Sequence, residues 1–131
     1  MATTDFGAVI AALVGQWEGV EVSPHRFGGV EFRVGRREIG HVHVDGVADL
    51  LVSVRLRRDL VAAGRALPHR TLPHSAWISI RLRSEHDVPA AVDLFRLNYN
   101  RLRGTAVRVP AAPRRGTPTM LGDRSADDLP A

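Results

Sequence analysis

The chain has 131 residues, of which 44% are apolar, a size and composition that suit one domain with one core and leave no room for a second. Cysteine is absent, so disulfides, thiolate metal sites and cysteine nucleophiles are excluded. The net charge is +4 and all 18 basic residues are arginine; because they are scattered rather than gathered in a stripe, composition gives little support to a polyanion partner.

Thr4 is a candidate N-cap for a first helix in which Phe6, Val9, Ile10, Leu13 and Val14 recur at three- and four-residue spacing until Gly15. Its apolar run, Ala8 to Val14, is too short to cross a bilayer and follows no basic segment, so a soluble, cytoplasmic protein is expected. Trp17 to Val22 reads as a connection or short strand, with Trp17 as a core anchor.

Gly28-Gly29 opens a hairpin. Val30, Phe32 and Val34 alternate with Glu31 and Arg33, and Gly35-Arg36-Arg37 makes the turn. In a regular return strand Ile39, His41 and His43 share one face while Glu38, Gly40, Val42 and Val44 take the other. Asp45-Gly46 is a hairpin turn signal, and Val47 to Val52 is a further apolar strand.

Ser53 caps a helix running to about Ala63, which Gly64 ends. The segment GRALPHRTLPHSAW, with two proline–histidine steps, is expected to be an irregular loop. Trp77, Ser79, Arg81 and Arg83 then alternate with Ile78, Ile80 and Leu82, giving a last strand whose polar face can look toward the hairpin. From Asp87 a long helix carries Val88, Val92, Phe95, Tyr99 and Leu102 on one side. Helix, meander, helix, strand, helix implies an α+β, two-layer domain over 1–104, an antiparallel sheet meander with helices packed on one face. Residues 105–131, rich in proline, glycine and arginine without periodicity, read as a largely disordered C-terminal tail.

The run PHRFGGVEFRVGRREIGHVH, the later GRALPHRTLPHSAWISIRLRSEHDV and the closing LFRLNY together resemble the small "luciferase-like domain" family of bacterial and fungal proteins, over roughly Trp17 to Tyr99. The resemblance implies a domain whose biochemical role is not established, and its name is not an activity. Where the family pattern reads Pro-Asp-Ser-Gly-Trp, this chain has Pro73-His74-Ser75-Ala76-Trp77, which puts a carboxylate role there in doubt. The order of elements is also similar, at fold level only, to MmcQ/YjbR-like domains, a likeness that implies a two-layer fold and DNA binding.

His25, Arg26, Glu38, His41, His43 and His69 are the candidate ligand-binding residues, placed around a cleft between the hairpin and the 65–77 loop. Arginines can hold a carboxylate or phosphate, and an imidazole can donate or accept a proton near neutral pH. Alternatively His25, His41 and His43 supply three imidazoles to Zn²⁺, Fe²⁺ or Mn²⁺, with Glu38 or Asp49 as an oxygen ligand. No G-x-S-x-G elbow surrounds Ser75, so serine nucleophile chemistry has no support. Three classes follow: a module binding a small polar or anionic ligand, which we expect first; a metal-dependent or acid/base enzyme using the same histidines; and a nucleic-acid or protein interaction domain using the arginines and the tail. Homodimerisation through a sheet face or the long helix is expected on general grounds.

Overall fold

The structure, a computed structural model, describes residues 4–26 and 28–104; the tail expected over 105–131 lies outside these residues. Helix α1 (Phe6–Val14) is capped by Asp5 rather than Thr4, because the Asp5 carboxylate accepts the Ala8 N–H at 3.1 Å. Strands β1 (Val20–Pro24), β2 (Val30–Val34), β3 (Arg37–Val42) and β4 (Val47–Leu51) follow as a meander. Helix α2 (Val54–Ala62), capped by Ser53, then leads to β5 (Leu67–Pro68), β6 (Trp77–Arg81), a 3₁₀ turn (Glu85–Asp87) and α3 (Val88–Leu102). All pairs are antiparallel in the order β1-β2-β3-β4-β6-β5, so β6 lies beside β4 and β5 forms the edge. The fold is α+β, as the pattern predicted. The expected irregular loop differs only in contributing the two residues of β5.

Periodicity places the core. Val30 and Phe32 of β2, Val42 of β3, Leu50 of β4 and Ile78 of β6 face the helices, joining Ile10 and Val14 of α1, Leu56 and Leu60 of α2, and Leu94, Phe95 and Tyr99 of α3 in one cluster. Phe95 lies over the sheet at Gly40, edge-on to Phe32 at 5.4 Å, and a Cβ at Gly40 would stand 2.6 Å from the Asp49 carbonyl and 3.1 Å from the Phe95 ring. Trp17 packs on this core against Tyr99, whose hydroxyl donates to the Glu18 carbonyl at 2.6 Å. Gly28 and Gly29 lie in the β1–β2 turn, immediately before the β2–β3 hairpin they were expected to open. At Gly29 the backbone has φ +85°, and a Cβ would collide with the Val42 carbonyl at 1.9 Å. Among the described residues no helix is long and apolar enough to cross a membrane.

One irregularity redirects the hairpin. Phe32 pairs with Gly40 but Arg33 pairs with Glu38, so two steps of β3 oppose one step of β2 and Ile39 is the extra residue of a β-bulge. Two expectations are thereby corrected. Ile39 is fully buried in the core with Phe32 and Val42, and Glu38 comes round to the face of His41. Beyond the bulge β3 and β4 no longer pair, and Asn98 of α3 spans the gap. Its Nδ2 donates to the Ile39 carbonyl at 2.8 Å and to the Leu51 carbonyl at 2.9 Å, while Arg101 Nε donates to Asn98 Oδ1 at 2.9 Å. The Leu51 carbonyl also accepts from Arg101 Nη2 at 3.3 Å, so Asn98→Ala takes the side-chain donor from the Ile39 carbonyl above all. At about 1–3 kcal/mol for a buried carbonyl left without a donor, the unfolding free energy is expected to fall by that amount, measured by urea denaturation against wild type.

Candidate functional site

The face of the sheet opposite the helices carries a row of polar side chains set by register. Glu31 of β2 opposes His41 of β3, His41 opposes Asp49 of β4, and Asp49 opposes Ser79 of β6. His43 follows two residues after His41, on the same face, and the Asp45-Gly46 turn holds it there through His43 N–H donating to the Val47 carbonyl at 2.8 Å. His69 follows β5 in the same alternation as Leu67, which opposes Ser79, and so reaches this face from the sheet edge.

The row converges on one carboxylate. Asp49 is 1% exposed; its Oδ1 accepts the Ser79 hydroxyl at 2.6 Å. Its Oδ2 faces three imidazole Nε2 atoms, those of His43 at 2.8 Å, His41 at 3.4 Å and His69 at 3.4 Å. On its other side His41 Nδ1 lies 2.6 Å from Glu38 Oε2, a contact that exists because of the bulge. The His25 ring stacks on His41 with centroids 4.1 Å apart, and Trp77 packs against His41 at 5.3 Å and His69 at 6.0 Å.

Of the residues singled out in the sequence, the structure therefore brings His25, Glu38, His41, His43 and His69 together, while Arg26 is exposed at the β1–β2 turn. Among the described residues, the donor atoms that lie within 4.8 Å of one another belong to His41, His43 and Asp49, the aspartate being one of the two oxygen ligands expected beside the histidines. The central position of Asp49, its Ser79 partner and the Trp77 wall were not read from sequence. Only cross-strand register reveals them, and the available signal was the polar face of β6.

Residues 36–98 match the family model of the Luciferase domain. The sequence resemblance is borne out. The Luciferase-domain span includes Glu38, His41, His43, Asp49, His69, Trp77 and Ser79, and also Asn98, which anchors the bulge. His25 and Glu31 lie before it. No curated protein and no solved structure matches the chain.

The electrostatics of this span follow from burying charge. Burial alone would push the His41 imidazole down, but hydrogen bonds to Asp49 and Glu38, and their charges, outweigh it and raise its pKa to about 9. Burial would likewise raise Asp49, yet hydrogen bonds from His41, Ser79 and His43 and the proximity of His69 hold its carboxyl well below the ordinary carboxylate range. His25 is shifted downward, first by burial and then by His41. In the metal-free protein the buried pair is thus an imidazolium and a carboxylate.

The signs give a pH window. A histidine raised in the folded state contributes stability that is complete below its unfolded pKa of about 6.5 and lost as pH rises through about 9. A lowered aspartate contributes above its unfolded value of about 3.9 and loses that contribution as pH falls. The chelator-treated protein is therefore expected to be most stable between about pH 4 and 6.5, with its urea midpoint falling from there toward pH 9.5. In Asp49→Asn the fall on the alkaline side is expected to shrink; a wild-type midpoint unchanged from pH 6 to 9.5 would contradict the pairing.

Proposed function

We propose that the open sheet face is a divalent-metal centre, with His41 Nε2, His43 Nε2 and one Asp49 oxygen as ligands, and that a small polar or anionic ligand binds at the cation's remaining positions. The observation that carries this reading is the convergence of imidazoles on one oxygen of Asp49. Ligands bound at about 2.0–2.2 Å around a tetrahedral cation stand roughly 3.3–3.6 Å apart. His41 Nε2 lies 3.4 Å and His43 Nε2 2.8 Å from Asp49 Oδ2, so a cation needs only small outward movements.

The surrounding contacts favour the same reading. Glu38 on Nδ1 of His41 fixes the ring with Nε2 toward the site, the carboxylate–histidine arrangement that orients metal ligands, and Ser79 fixes Asp49 in the same way. Two imidazoles and a carboxylate suit Zn²⁺, Mn²⁺ or Fe²⁺ and leave positions open. A bound cation there supplies Lewis-acid polarisation to whatever ligand it holds. The arginines offer less to a polyanion: Arg33, Arg70 and Arg103 pair with Glu31, Asp45 and Glu18, and Arg101 is committed to Asn98.

Tag-free protein, stripped with chelator and reloaded separately with Zn²⁺, Mn²⁺ and Fe²⁺, is expected to retain close to one cation per chain by elemental analysis. His41→Ala, His43→Ala and Asp49→Ala are each expected to abolish retention while keeping the wild-type circular dichroism. Glu38→Ala should weaken affinity by about 10- to 100-fold, the usual cost of losing an orienting partner. Protein that retains none of the three cations, or variants that all retain them, would refute the assignment.

A further inference from the structure

Four histidines meet at this site, and their second ring nitrogens differ. His41 presents Nδ1 to a carboxylate, Glu38 Oε2 at 2.6 Å, so Nδ1 carries the hydrogen there. His69 is held the opposite way. Its Nδ1 accepts the backbone N–H groups of Thr71 and Leu72, both at 3.2 Å, with Thr71 Oγ1 at 3.3 Å. A ring nitrogen that accepts backbone hydrogens has none of its own, so the hydrogen of His69 sits on Nε2, the atom facing the site. A nitrogen that bears hydrogen has no lone pair to give a cation.

The loop imposes this state without help from the site. Leu72 turns back so that its carbonyl accepts both the backbone N–H of Ser75 at 3.1 Å and its hydroxyl at 2.6 Å, and Ser75 Oγ in turn accepts the Trp77 N–H at 3.1 Å. The Trp77 ring backs the His69 ring. Asp49 does not hold this hydrogen closely: the imidazole hydrogen-bonded to its Oδ2 is that of His43 at 2.8 Å, while His69 Nε2 stands off at 3.4 Å.

We propose that His69 is not a metal ligand but the anion-selecting donor of the site: its Nε2–H, fixed by the loop and not closely held by Asp49, donates to a small oxyanion, a carboxylate or phosphate group, bound to the cation that His41, His43 and Asp49 hold. The proposal rests on the metal-centre reading above and names the ligand class that reading leaves open. An oxygen of such an anion accepts the Nε2–H while another lone pair or oxygen meets the cation, so an anion gains two contacts, a neutral amine only the one to the cation, and an alkyl group none.

The test has two parts. In metal-free wild type, long-range ¹H–¹⁵N spectra of the imidazoles are expected to show His69 with hydrogen on Nε2; hydrogen on Nδ1 would overturn the proposal whatever the metal content. In the Zn²⁺-loaded full chain, calorimetric titration with acetate and with inorganic phosphate is expected to show binding that weakens at least about tenfold in His69→Ala and recovers in part in His69→Gln, whose amide N–H can donate. Zn²⁺ stoichiometry should be unchanged in both variants. Loss of Zn²⁺ from both would make His69 a ligand and sink the proposal, as would wild-type protein that binds neither anion or variants that bind them equally well. Wild type that takes up no Zn²⁺ fails at the earlier step: it overturns the metal-centre reading itself, and the oxyanion assignment falls with it.

Discussion

A carboxylate removed from water must be compensated, and Asp49, 1% exposed in the middle of a six-stranded sheet, sets that requirement for the whole open face. Breaking a buried charge pair by removing one partner costs about 3–5 kcal/mol, more than most single contacts in a domain of this size contribute. The compensation is distributed: a hydroxyl from β6, imidazoles from β3 and the turn after it, and a third imidazole from the loop after β5. An apolar residue of similar volume would serve stability as well or better. What the polar solution adds is a set of nitrogen and oxygen donors focused on a small volume.

The β-bulge in β3 connects that site to the helical layer. Without it Glu38 would lie among the core residues and His41 would lose the partner that orients its ring. With it, Ile39 enters the core, and the carbonyls of Ile39 and Leu51, left over where β3 and β4 part, are taken by Asn98. One helix residue thus stabilises the irregularity that the site on the opposite face needs. Gly40 is part of the same device, since the Phe95 ring and the Asp49 carbonyl occupy the space a side chain would fill.

Much of this was legible in the sequence because it depends on local rules. The alternation of Val30, Phe32 and Val34, the Asp45-Gly46 turn, the Ser53 cap and the apolar stripe from Val88 to Leu102 each follow from neighbours a few residues apart. His41 and His43 share a face because two residues separate them. Glu38 was misplaced for the same reason: the two-residue period holds only in a regular strand, and the bulge is fixed by Asn98, 59 residues from Ile39. The focal role of Asp49 and Ser79, 30 residues apart, is likewise a fact of register that no local pattern contains. Asp5 displaced Thr4 as helix cap by a single position, the ordinary uncertainty of a helix end.

The most direct test of the account is a crystal structure of the full chain grown with Mn²⁺, with anomalous diffraction used to locate the ion. The account predicts one strong anomalous peak within coordinating distance of His41 Nε2, His43 Nε2 and an Asp49 oxygen, with His69 Nε2 outside that shell and facing a non-protein ligand of the ion. An anomalous map with no peak on this face, in crystals where Mn²⁺ binds elsewhere or not at all, would contradict it.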